Sequence, residues 1–167
     1  MGAARMRVGL GYDVHPFGGA GPLILGGVEL PGPGLAGHSD ADVVAHVAAD
    51  ALLGAAGLAD LGTLFPADDD QWRGVRSIEL VRAVAARLVE SGWRVVNIDV
   101  VVAIEEPRLG PHVAAMCANL VDALGESRAD DELMVSVKPK RGEGVGFVGR
   151  REGIEAWAVA LIERATQ

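Results

Sequence analysis

Residues 94 to 104 read RVVNIDVVVAI, and this run constrains the fold more than any other stretch. Its valines and isoleucines crowd a helix at χ1 but pack well on a pleated surface, so the segment reads as a strand. Immediately before it, in SIELVRAVAARLVESG, Ile78, Leu80, Val81, Val84, Ala85 and Leu88 recur near helical spacing. Ser77 opens that helix and Gly92 ends it. After the strand comes a loop, Glu105-Glu106-Pro107-Arg108-Leu109-Gly110, and then a further helix from near Pro111 to near Gly125. A strand set between two amphipathic helices calls for helices layered on a sheet.

The rest of the chain repeats the alternation. Arg5 to Asp13 reads as a strand and Leu23 to Val28 as a short second one, with Pro31-Gly32-Pro33-Gly34 as a turn cluster. In HSDADVVAHVAADALLGAAG, Ser39 or Asp40 can cap a helix that runs to about Ala56, with Gly57 as its stop. Asp60 to Gly74 is polar and turn-rich. Leu133 to Lys138 reads as a strand, residues 139 to 150 as a glycine- and cation-rich loop, and Glu152 to Ala165 as a final helix. The class is α+β with α/β-like layering: one domain, residues 1–167, with a mixed sheet covered on one face by helices.

A net charge of −8 repels a nucleic-acid backbone, so no nucleic-acid partner is expected. The single cysteine, Cys117, falls among helical apolar residues and reads as core. With no apolar run long enough to span a membrane and no signal-like stretch in MGAARMRVGL, a cytoplasmic protein without membrane attachment is expected.

Side chains alternate along a strand, so Asp13 and His15 in GYDVHPF share a face and can grip one ion. His46 lies inside the first helix, with Asp42 one turn before it and Asp50 one turn after. That stripe is expected to orient a metal-bound ring. His38 and His46 are separated by about 12 Å of helix, too far for one ion to take both comfortably, so His46 is preferred as the third ligand. Asp13, His15 and His46 around Zn²⁺ leave a fourth position open and the centre net positive, which favours an anion.

The blocks GYDVHPF, LGGVELP, AGHSDADVVAHVAADALLGAAGLADLGTLFP and VKPKRGEGVGFVGRREGI together resemble the 2-C-methyl-D-erythritol 2,4-cyclodiphosphate synthase family. The resemblance runs almost end to end, with gapless stretches at residues 11–17, 36–66 and 143–154. It implies conversion of 4-diphosphocytidyl-2-C-methyl-D-erythritol 2-phosphate to the cyclic diphosphate with release of CMP, in the non-mevalonate isoprenoid pathway. It implies a homotrimer with active sites between subunits, and Zn²⁺ on Asp13, His15 and His46. His38 and Ser39 are then expected at the substrate phosphate. Asp60, Leu61 and Gly62, with the loop Phe65, Pro66, Ala67, Asp68 and Asp69, would hold the methylerythritol part. Ile104, Glu105, Glu106, Pro107, Arg108, Leu109 and Gly110 of the adjacent subunit would hold the cytidine. Glu143 would bind a second divalent cation, Mg²⁺ or Mn²⁺. Phe147 and Arg150 would line a trimer-axis cavity able to take an isoprenoid diphosphate.

The chain departs from the family pattern just before Glu143. Where threonines are usual it reads Pro139-Lys140-Arg141-Gly142, and Arg141 stands at the position of the functional threonine. A guanidinium can bridge phosphate oxygens, so Arg141 is expected to contact the diphosphate, with Lys140 and Gly142 beside it. Arg151 stands where the family mostly has glycine. Two alternatives follow from this departure: a zinc hydrolase giving an acyclic product, or a non-catalytic trimer that binds zinc and an isoprenoid diphosphate.

Overall fold

The computed structural model of the chain describes residues 6–66, 68–129 and 134–165. Strand β1 (Met6–Leu25) turns at Gly26-Gly27 into β2 (Val28–Leu35). Both glycines have positive φ, 55° and 71°, as a two-residue hairpin turn of matching twist requires. Leu23–Leu25 and Val28 therefore belong to the two arms of one hairpin and not to a separate short strand. The cluster Pro31-Gly32-Pro33-Gly34, expected as a turn, lies inside β2. Because β2 is an edge strand, its prolines are tolerated, and register shifts between Phe17 and Leu23 absorb the irregularity.

Helix α1 (Val43–Ala56) ends as expected on Gly57, which is left-handed at φ 72°. Its cap, however, is Asp42 and not Ser39 or Asp40. The buried Asp42 carboxylate accepts from the N–H groups of Val44 and Ala45, both at 3.1 Å, and from those of Gly26 and Gly27 at 2.8 and 2.6 Å. One side chain thus ties the start of α1 to the hairpin turn. Burial pushes its pKa up to about 6, although the bonds from these N–H groups oppose the shift.

The polar segment that follows contains the single turn α2 (Leu61–Leu64) and a 3₁₀ turn at Asp70–Trp72. Helix α3 (Ser77–Glu90), strand β3 (Trp93–Ala103), helix α4 (Val113–Leu124) and strand β4 (Met134–Lys140) come in the expected order. The expected strand starts at Arg5 and Leu133 lie outside the described residues. The loop read over residues 139 to 150 is shorter, because β4 runs through Lys140 and α5 (Gly146–Gly149) forms one turn.

The final helix expected over Glu152 to Ala165 is instead strand β5 (Gly153–Arg164). Its alanines and glutamates favour a helix in isolation, but the burial has period two. Ile154, Ala156, Ala158, Ala160 and Ile162 are buried, while Trp157 and Val159 are on the other face and exposed. The small alanines lie beneath α1, which packs across both β1 and β5. Ladder bonds to β1 on one side and β3 on the other outweigh local propensity.

The sheet has the order β2-β1-β5-β3-β4, antiparallel except for the parallel β3–β4 pair. Helices α1, α3 and α4 pack together on the face that carries the buried valines, leucines and isoleucines. Cys117 on α4 packs partly buried against that core, as read. Among the described residues no helix is long and apolar enough to cross a membrane.

β1 and α1 meet at a tight joint. A Cβ on Gly9 would sit 2.0 Å from the Ala51 carbonyl oxygen, and one on Gly11 would sit 2.1 Å from that of Val47. Only glycine allows this approach of strand to helix. Gly11→Ala is therefore expected to lower stability by about 3 kcal/mol, read as a fall in the urea midpoint.

Candidate metal centre

Because glycine brings α1 close to β1, the residues after Gly11 meet the helix at His46. Asp13 and His15 share the helix-facing side of β1, as alternation dictates. Asp13 Oδ2 lies 3.0 Å from His15 Nε2 and 2.9 Å from His46 Nδ1, and the two ring nitrogens are 3.3 Å apart. The donor atoms of a tetrahedral zinc site with bonds of about 2.0–2.1 Å are separated by roughly 3.3 Å. The triangle therefore fits a metal ion, and it is the candidate metal cluster among the described residues.

Both rings are fixed from behind. His15 Nδ1 donates to the Ala36 carbonyl at 2.7 Å, which leaves Nε2 as the ligand atom. His46 Nε2 lies 2.8 Å from Ser77 Oγ and 3.1 Å from Ser39 Oγ, which leaves Nδ1. The expected stripe of Asp42 and Asp50 does not perform this task. Asp42 is committed to the four N–H groups of the hairpin turn and helix start, and Asp50 Oδ1 accepts from Leu61 N at 2.8 Å. A carboxylate at the first turn satisfies otherwise orphaned backbone donors in preference to reaching along the helix. Ser77 carries no local sign of this role, since 31 residues separate it from His46.

Burial alone would raise the Asp13 carboxyl, but the bonds and charges of His15 and His46 outweigh it and hold the group far below the ordinary carboxylate range. The bond to Asp13 raises His15 above its usual 6.5, against the effect of burial.

A cavity of about 270 Å³ opens beside the triangle. His38, Ser39, Leu61, Gly62 and Phe65 line it with His15 and His46, and so does Trp72, whose ring meets that of Phe65 edge-on. His38 Nε2 is buried without a hydrogen-bond partner among the described residues. Asp60 caps the short α2 and accepts from the Thr63 hydroxyl, while Asp69 accepts from Gln71 N at 3.0 Å. Pro66 and Asp68 flank Ala67, which lies outside the described residues.

The expected nucleotide residues form a second region. Ile104, Pro107, Arg108, Leu109, Gly110, Lys140 and Arg141 line a cavity of about 360 Å³. Glu105 and Glu106 line an adjoining one of about 580 Å³, which shares Pro107, Arg108 and Arg141. Arg141 Nη2 donates to Glu105 Oε1 at 2.6 Å, and Arg151 Nη2 to Glu106 Oε1 at 2.8 Å. The Arg141 bond lowers the Glu105 pKa, assisted by N–H donors of Gly144 and Gly142. Glu143 is exposed at φ 52°, Phe147 is half-buried, and Arg150 is paired with Glu152. The cavity beside the triangle and the one at Ile104 to Gly110 have no lining residue in common.

A profile described as the YgbB family matches residues 6–163. A 2-C-methyl-D-erythritol 2,4-cyclodiphosphate synthase from Symbiobacterium thermophilum is 51% identical over 158 residues, spanning 94% of this chain and 98% of the relative. The chain belongs to this family. The bifunctional enzyme IspD/IspF of Anaeromyxobacter dehalogenans is 52% identical over 162 residues, 97% of this chain, but the chain spans only 41% of that relative's length. Among solved structures, IspF of Plasmodium falciparum in a CDP complex is 29% identical with a TM-score of 0.79, covering 96% of this chain and 97% of that one.

Proton and metal compete for the triangle, and the sign of the competition follows from the shifts. A raised His15 contributes stability to the metal-free fold that is complete below 6.5 and fades as pH rises through its folded value. A lowered Asp13 contributes stability that is complete above 3.8 and fades as pH falls through its folded value. The metal-free cluster is thus best held between those limits, whereas metal needs neutral imidazoles. Stripping the metal with a chelator is expected to lower Tm more at about pH 8 than at about pH 6, measured by calorimetry.

Proposed function

We propose that the chain converts 4-diphosphocytidyl-2-C-methyl-D-erythritol 2-phosphate to 2-C-methyl-D-erythritol 2,4-cyclodiphosphate and CMP, acting as a homotrimer. The observation that carries this reading is the Asp13–His15–His46 triangle beside a cavity walled by His38 and Ser39. It occurs in a chain about 50% identical, over nearly its whole length, to cyclodiphosphate synthases.

Asp13, His15 and His46 hold Zn²⁺. When bound, the ion supplies Lewis acidity and a template for the diphosphate, not an activated water. An oxygen of the 2-phosphate forms a bond to the β-phosphorus. The bond from that phosphorus to the oxygen bridging it to the α-phosphate breaks, and CMP leaves with the electron pair. The attacking phosphate is already ionised near neutral pH, so no general base is required. Because attacker and target lie in one molecule, the protein's main task is to hold the ring-closing shape.

His38 Nε2, buried and without a partner among the described residues, is available to donate to the phosphate, as is the Ser39 hydroxyl. Leu61, Phe65, Trp72, Val75 and Leu80 make the wall apolar and keep out water that would hydrolyse the diphosphate. Asp60 and Gly62 bind the methylerythritol hydroxyls, under the loop from Phe65 through Asp69. Glu143 takes the second cation, Mg²⁺ or Mn²⁺. Arg141 lines both cavities of the nucleotide region, and its pairing with Glu105 fixes the guanidinium at their shared wall.

The cytidine occupies the cavity of Ile104 to Gly110 on the neighbouring subunit. The absence of shared lining residues supports a site assembled from two copies. So does the uncovered face of the sheet, where Val8, Leu10, Tyr12, Val14, Trp157 and Val159 stand exposed. These residues are direct neighbours, with Tyr12 opposite Trp157 and Leu10 opposite Val159. An apolar patch of this kind is a surface for association. Phe147 and Arg150 face the trimer axis, where an isoprenoid diphosphate binds.

Phosphorus NMR of the substrate with enzyme, Zn²⁺ and Mg²⁺ is expected to show the cyclic diphosphate and CMP. An acyclic product would point to a hydrolase, and an unchanged spectrum to a binding protein. His46→Ala is expected to abolish turnover in a chain that stays folded by circular dichroism. Loss of a charge-assisted bond from Arg141→Ala is expected to lower kcat/KM by about 10- to 100-fold, and unchanged kinetics would remove Arg141 from the site.

A further inference from the structure

Two polar side chains behind the metal triangle have no part in the reaction described above. Ser77, the first residue of α3, is fully buried, and its hydroxyl lies 2.8 Å from His46 Nε2. The same oxygen is 3.0 Å from Ser39 Oγ and hydrogen-bonded to Asp40 Oδ1. Asp40 Oδ1 also accepts from Ser77 N at 3.1 Å and from Asp42 N at 3.2 Å. Ala41, between Asp40 and Asp42, has φ 56°, a left-handed conformation that is strained for a non-glycine residue. That turn is stabilised by the Ala41 N–H, which donates to Ser39 Oγ at 3.2 Å.

The donors can be counted. A hydroxyl has one proton and two lone pairs, and a carboxylate only accepts. The Ser77 proton therefore goes to Asp40, and Ser77 Oγ presents only lone pairs to its other neighbours. His46 must then donate from Nε2. The opposite tautomer would put the proton on Nδ1, the atom that completes the triangle with Asp13 and His15. It would also set Nε2 against the Ser77 oxygen, which has no proton left to give, so that only the more distant Ser39 hydroxyl, at 3.1 Å, could serve it, at the expense of the cavity. The chain of bonds from Asp40 through Ser77 thus selects the tautomer in which Nδ1 is a free ligand.

The same count bears on Ser39. Its hydroxyl is 3.1 Å from His46 Nε2, so it competes with Ser77 for the ring proton. With Ser77 the closer acceptor, the Ser39 oxygen is not consumed by His46. Its own proton can point to Ser77 or turn into the cavity that Ser39 lines.

We infer that Asp40 and Ser77 are positioning residues, a carboxylate–hydroxyl relay that fixes the His46 tautomer for metal binding and leaves the Ser39 hydroxyl free to donate to a phosphate. The inference rests on the reading of Asp13, His15 and His46 as a metal centre. Partners of a ligating histidine typically change metal affinity by about 10- to 100-fold when removed.

The test is the zinc dissociation constant, obtained by chelator competition on the full chain, with folding followed by circular dichroism. Ser77→Ala is expected to weaken zinc binding about tenfold or more, and Asp40→Asn, which keeps the shape but not the charge, to weaken it in the same direction. Both changes are then repeated in the His46→Ala background. With no ring to orient, they are expected to leave the residual affinity unaltered. Zinc binding as tight in Ser77→Ala as in the wild type overturns the relay, as does an equal loss with and without His46, which would mark a general structural effect. If Ser77→Ala does not fold, the Asp40→Asn pair of measurements decides by the same criteria. A wild-type chain that takes up no zinc overturns the metal centre itself, a result distinct from failure of the relay alone.

Discussion

The contact between the backbones of β1 and α1 is the constraint on which the rest depends. Gly9 and Gly11 let the strand lie against Ala51 and Val47 with no side chain between them. That closeness brings Asp13 and His15, further along the same face, within 2.9 Å and 3.3 Å of His46 on the helix. The alanines of β5 continue the thin layer under the helix. Any bulk added at this seam would separate the two elements that carry the candidate ligands, so packing and site geometry are specified by the same small residues.

Asp42 sets the other coordinate. By accepting from Gly26 and Gly27 as well as from Val44 and Ala45, it fixes where α1 begins relative to the hairpin. His46 is one turn further, and its height above the sheet follows from that anchor. The ring is then faced from three directions: by Asp13 from the strand, by Ser39 from the turn and by Ser77, which accepts its proton, from the next helix. Each comes from a different element, so the orientation of one imidazole registers the packing of β1, α1 and α3 together.

Much of this was legible in the sequence for physical reasons. Period-two placement put Asp13 and His15 on one face, and helical spacing placed His46 and the apolar stripe of α3. Several residues that the motif resemblance singled out, His38, Ser39, Leu61, Gly62 and Phe65, share one cavity wall. What was not legible has two causes. In β5, alanine and glutamate carry a strong helical preference, and only pairing on both sides makes the segment a strand. At Asp42, Asp50 and Ser77, the partners are backbone groups or side chains distant in sequence, and local spacing does not encode them. The Pro-Gly stretch of β2 misled because an edge strand tolerates what a central strand does not.

The order of the sheet carries a consequence for synthesis. β5 is inserted between β1 and β3, with Met6 opposite Glu163 at one end of its ladder. On a ribosome β1 and α1 emerge before β3, yet the neighbour that completes β1 emerges only after β4. Until then β1 and β3 each present an unpaired edge, the condition under which nascent chains pair wrongly with one another. Such long-range closure is slow relative to local helix formation. The hairpin and α1, tied through Asp42, can assemble while the sheet waits for its centre. The thin layer of alanines in β5 then lets that late strand slide beneath a helix already in place.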